Sequence, residues 1–145
     1  MLKALPFLWF LLAALGAAAQ LFVMSMAGAE AGAALLSTAS SLLITTVGTI
    51  GVALVYLLIL RTRPSPAVAI IGYSHLFLAS AAQVGQAIGN MERNRYLAGA
   101  GDTDYSAIGF AYTAAGLATL LGGIVFILAL IVALNSHHER PEDVF

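Results

Sequence analysis

The chain has no cysteine, a single tryptophan and very little charge. Without cysteine it has no disulfide framework, no thiolate metal site, no iron–sulfur cluster and no covalently attached c-type haem, so any metal or redox chemistry falls to histidine. Charged residues are 9% of the 145 positions, against about 25% in a soluble globular domain. Six basic residues stand against seven acidic ones and form no run. Nucleic-acid binding therefore has no electrostatic footprint, and no polybasic juxtamembrane segment is present. No carboxylate lies inside an apolar run, and Glu30 is the only one close to such a run. Proton-coupled transport commonly relies on an intramembrane acid, so that class starts at a disadvantage.

What remains is apolar, with hydrophobic residues at 61%. The charges gather at Lys3, Glu30, Arg61 and Arg63, Glu92 to Asp104, and Glu139 to Asp143, leaving charge-free runs at 4–29, 31–60, 64–91 and 105–138. A bilayer core of about 30 Å takes roughly 20 helical residues at about 1.5 Å each, so each run is long enough to cross once and too short to cross twice. The expectation is an all-α integral membrane four-helix bundle, one transmembrane domain over 1–145. Its spans are placed at 4–28, 34–60, 67–89 and 106–134, with a polar outer loop at 90–105 and a cytoplasmic tail at 135–145. No water-exposed segment is long enough for a second domain.

Local signals sharpen these limits. Pro6 belongs in a first helical turn, and Trp9 suits headgroup depth. Met1 to Lys3, Leu5 to Leu15 and Ala17 to Ala19 also fit the regions of a signal peptide, but the apolar run continues through Leu21 to Met24, which favours a retained helix. Pro64 and Pro66 mark the clearest break, because neither supports helix continuation and each restricts the residue before it. Lys3, Arg61, Arg63 and Arg140 fall on one side, so the positive-inside rule places both termini in the cytoplasm, with a bacterial inner membrane as the setting. Leu15 to Gln20 resembles Leu78 to Gln83, a faint sign of duplicated hairpins.

On span three, His75, Ala79, Gln83, Gln86 and Asn90 recur at helical spacing and share one face. Polar groups at membrane depth face protein or water, so this stripe points inward. His75 has three readings: a hydrogen bond to a neighbouring helix, which is preferred; a proton relay or quinone partner; and a metal or haem ligand. The last is handicapped by the lack of a second intramembrane histidine. His137 and His138 point about 100° apart if helical and read as a solvated helix end. No metal site is assigned and no cofactor is required.

Gln20, Thr45, Thr46, Tyr112 and Thr113, with Gln83 and Gln86, all fall in the outer half of their spans. They form either a clamp tying the helices together, the preferred reading, or a water-filled vestibule. Gly109, Gly116 and Gly123 recur every seven residues, drifting only about 20° per repeat and so holding one face. Gly48 and Gly51 on span two, and Ala13 and Ala17 with Gln20 on span one, form further small-residue faces suited to close helix packing. The expected function is a small non-catalytic membrane subunit or accessory protein, packed in the lipid bilayer against itself or other membrane chains. The alternatives are a channel or transporter for a small solute through the outer vestibule, and a quinone- or haem-associated redox subunit using His75.

Overall fold

A computed structural model describes residues 1–28, 32–100 and 105–136. The expectations for Glu30, for Asp102 and Asp104, and for His137, His138 and the remainder of the 137–145 tail lie outside these residues. A short 3-10 turn, Leu2–Ala4, leads into α1 (Leu5–Ser25); α2 (Gly32–Thr62), α3 (Pro66–Leu97) and α4 (Tyr105–Asn135) follow. Among the described residues there is no strand. Among the described residues, four helices are long and apolar enough to cross a membrane.

The boundaries follow from local chemistry. Pro6 sits in the first turn of α1, where its missing N–H leaves no bond unmade. Beyond Ser25 the chain turns through Gly28 at φ +67°, a left-handed conformation open to glycine. Between α2 and α3, Ser65 is extended at φ −138° and Pro66 opens the next helix, as two prolines around one serine dictate. The α3 end is set by Gly99 at φ +74°, whose N–H bonds the Tyr96 carbonyl at 3.0 Å.

That last boundary corrects an expectation. Residues 90–97, assigned to the outer loop on their polarity, continue α3 to Leu97. Polarity marks contact with water or partners and does not by itself stop a helix. Arg95 pairs with Glu92 at 3.2 Å across one turn, and Arg93 and Asn94 both find hydroxyls on α2.

The chain folds as two hairpins, α1 against α2 and α3 against α4, joined mainly through α3. α3 packs along α4 and also touches α1 and α2, whereas α2 and α4 scarcely meet. At the end where the amino terminus lies beside the Pro64 to Pro66 turn, the core gathers Leu5, Trp9, Tyr56, Val68 and Ala129. Arg63 Nη1 closes this end by donating to the Leu134 carbonyl at 2.6 Å, and Tyr73 donates to the Met1 carbonyl at 2.9 Å.

Close helix approach is built on other glycines than those expected. A side chain at Gly72 would collide with Leu5 and the Tyr56 ring, one at Gly16 with the Gln83 amide, and one at Gly89 with the Tyr112 ring. By contrast, Gly48, Gly51, Gly109, Gly116 and Gly123 have nothing within 4 Å of where a side chain would begin. Periodicity finds a small-residue face but not the direction in which the fold turns it. On α1 the reverse holds, since Ala13 and Gln20 are buried and Ala17 half-buried, so this face is used within the chain.

Candidate functional site

Two layers of side chains tie the helices together, and each takes one residue from every helix. The outer layer centres on Asn90. Its Nδ2 donates to Gln20 Oε1 on α1 at 3.0 Å and to Ser41 Oγ on α2 at 3.2 Å, while the Tyr112 hydroxyl on α4 donates to its Oδ1 at 2.7 Å. Both amide hydrogens and the carbonyl oxygen of Asn90 are thereby engaged, at a residue only 3% exposed. One turn further out, Asn94 Nδ2 reaches Thr38 Oγ1 at 3.4 Å and Arg93 Nη1 reaches Ser37 Oγ at 2.6 Å.

The inner layer is made of rings. Trp9 of α1, Tyr56 of α2, His75 of α3 and Phe126 of α4 form one contiguous cluster, with centroids 4.5 Å apart for Trp9 and His75 and 5.1 Å for His75 and Phe126. Trp9 stacks on Tyr56 at 5.9 Å, and Tyr56 meets Phe126 edge-on at 5.9 Å. Such offset and edge-to-face geometries suit the quadrupoles of aromatic rings.

One hydrogen bond lies within this layer, between the Tyr56 hydroxyl and His75 Nδ1 at 3.1 Å. Tyr56 is fully buried and its hydroxyl has no other bond among the described residues, so the O–H is satisfied there only if it donates to Nδ1. The imidazole then carries its hydrogen on Nε2 and presents a donor there. Trp9, 1% exposed, has an indole N–H with no partner among the described residues. An unpaired buried donor costs about 1–3 kcal/mol; Gln83 Oε1, and Arg93 Nε and Nη2 and Asn94 Oδ1 one turn beyond Asn90, are likewise buried without a partner among the described residues.

Between the layers lies a cleft of about 230 Å³, open between α2 and α4 where those helices part. Its floor is the α3 stripe of His75, Ala79, Gln83 and Gln86; Gly48 and Thr49 of α2 form one wall and Ala118 and Gly122 of α4 the other, with Trp9 at one end. Gln83 Nε2 donates to Thr49 Oγ1 at 2.9 Å. Gly122 leaves room beside the imidazole: a Cβ there would stand 3.4 Å from His75 Cδ2 and 3.8 Å from Nε2.

The expected stripe is therefore one face of α3, yet its members separate in use: Asn90 holds the outer layer, Gln83 bonds α2, and His75 joins the rings. Of the expected outer cluster, Gln20 and Tyr112 meet at Asn90. Thr45 instead bonds its own helix through the Ser41 carbonyl at 2.6 Å, Thr46 has no side-chain partner among the described residues, and Thr113 is exposed. Tyr56 and Phe126 went unnoticed because each is an ordinary residue of an apolar helix until its neighbours are known. Among the described residues no three metal-ligating side chains cluster. The chain matches no family model, no curated protein and no solved structure.

Proposed function

We propose that the chain is a small non-catalytic membrane subunit that packs against another membrane chain, or a second copy of itself, through the glycine face of α4. The observation that carries this reading is that Gly109, Gly116 and Gly123 all open outward with no atom within 4 Å of a built Cβ. Lipid supplies no hydrophobic drive between helices, so association depends on close backbone approach, dispersion and Cα–H···O contacts, which glycine permits. Exposed Leu117, Leu120 and Ile124 flank the glycines and give the face its ridges. Gly48 and Gly51 provide a second open position on α2. The α1 face through Ala13 and Ala17 drops out, because the bundle itself uses it.

A solute pathway through the outer half has less support, since Gln20, Ser41, Asn90 and Tyr112 are bonded to one another. Replacing Gly116 by Leu tests the subunit reading. The parent should crosslink and elute in mild detergent as more than one chain, and the variant should lose that association at least tenfold while keeping its helix content. A parent that runs alone, with a variant that behaves identically, refutes it.

The orientation goes with this reading: both termini in the cytoplasm of a bacterial inner membrane, supported by Lys3, Arg61 and Arg63 at one end of the bundle. Because the chain has no cysteine, single-cysteine labelling is clean. An impermeant maleimide added to intact cells should label Ala98→Cys and spare Ser65→Cys; the opposite pattern inverts the topology.

A further inference from the structure

We infer that the inner end of the cleft binds the carbonyl oxygen of a lipid-soluble quinone, a ligand site separate from the α4 docking face. Trp9 and His75 both line that end: the Tyr56 hydroxyl leaves His75 Nε2 to donate, and the enclosed Trp9 indole N–H has no partner among the described residues. Their rings are 4.5 Å apart. A donor without an acceptor selects an acceptor, and a carbonyl oxygen supplies one with no charge.

The surroundings narrow the class. The cleft lining has Val52, Ala79, Ala82, Ala118 and Gly122 alongside uncharged threonine and glutamine side chains and no charged group, so the ligand is neutral. A volume of about 230 Å³ is several times the ~30 Å³ of a water molecule and takes one ring, while the open side between α2 and α4 lets a tail run into lipid. The Trp9 and His75 rings at that end offer stacking surface to a flat headgroup. Depth separates a quinone from the other source of carbonyl oxygen, the lipid ester. His75 lies nine residues into α3, about 14 Å from its start, well inside a hydrocarbon core of about 30 Å, and Trp9, packed on it, shares that depth instead of the headgroup depth expected of it. Ester groups stay at the boundary.

Trp9 is the only tryptophan, so the site carries its own reporter. The whole chain in maltoside micelles is titrated with a decyl-substituted benzoquinone while Trp9 emission is followed, and N-acetyltryptophanamide in the same micelles measures collisional quenching of a free indole. The expected result is saturable quenching of Trp9 that exceeds the quenching of N-acetyltryptophanamide. Ala118→Phe, which fills the cleft from α4, and Ala82→Leu, which fills it from α3, should each weaken binding at least tenfold. His75→Leu, which removes one donor, should weaken it about fivefold. Decylbenzene, with the same tail and no carbonyl, should not compete. Saturable quenching that persists unchanged in either correctly folded filling variant overturns the site, and so does competition by decylbenzene at equal strength. Affinity should be the same in nanodiscs of ester and of ether lipids; loss in ester lipid alone assigns the donors to bilayer lipid and overturns the quinone.

Discussion

The two layers solve the same problem with opposite chemistry. At Asn90 an amide and three polar side chains from the other helices answer one another, donor for acceptor, and the Asn90 amide itself keeps nothing unpaired, although Arg93 and Asn94 one turn further out keep buried atoms without a partner among the described residues. Around His75, rings from all four helices pack face and edge, and the layer is left with unanswered N–H groups beside an opening. A saturated network holds position, whereas one with spare donors has capacity for something else. In lipid this contrast matters more than in water, because burying rings there gains only dispersion and quadrupole contacts, while a polar group without a partner stays costly.

The largest effect should come from emptying the hub. Asn90→Leu removes three interhelical bonds, each about 0.6 kcal/mol on average and at most about 1.7 in membrane proteins, and leaves polar groups on the other helices without partners. Reversible unfolding in mixed micelles should register a loss of about 2–4 kcal/mol. The matching change in the other layer, Phe126→Leu, removes two ring contacts worth about 0.5–1.5 kcal/mol each and should cost about 1 kcal/mol, since leucine restores part of the packing. Equal losses from the two would mean that the outer network is no more than a set of tolerated polar residues.

How far the sequence could be read divides along the same line. The four long apolar helices and the break at Pro64 to Pro66 were legible, because charge spacing and proline chemistry act locally. So was the common face of His75, Gln83, Gln86 and Asn90, which helical geometry alone places together. Asn94, hidden by the belief that a polar stretch is a loop, could have been found by asking whether Asn90, Arg93 and Asn94 continue the stripe at intervals of three and four. Tyr56 and Phe126 carried no such sign. Which helix lies beside which, and how each is rotated about its axis, depends on packing between distant segments, and one apolar helix face looks much like another. The same blindness covers the glycines: seven-residue spacing showed that Gly109, Gly116 and Gly123 share a side, but only the fold turns that side outward.

The finest comparison deletes the same atom from both layers. Tyr112→Phe removes the donor to Asn90 Oδ1, and the asparagine cannot rearrange to compensate, because both of its amide hydrogens are already committed to Gln20 and Ser41. The loss should be close to one membrane hydrogen bond, about 0.6–1.7 kcal/mol, with Trp9 emission unchanged. Tyr56→Phe removes the donor to His75 Nδ1 at a group that can rearrange. The imidazole hydrogen can occupy either nitrogen, so the ring is free to exchange tautomers and present an acceptor at Nε2 where the parent presents a donor. Its stability cost should therefore be smaller than that of Tyr112→Phe, at or below about 0.6 kcal/mol, yet Trp9 emission should shift, since an acceptor now stands beside the unpaired indole N–H. A larger stability loss for Tyr56→Phe, or an unshifted emission, would mean that the Tyr56 hydroxyl is needed for packing rather than for setting the tautomer, and the distinction between a holding layer and a binding layer would fail at its most sensitive point.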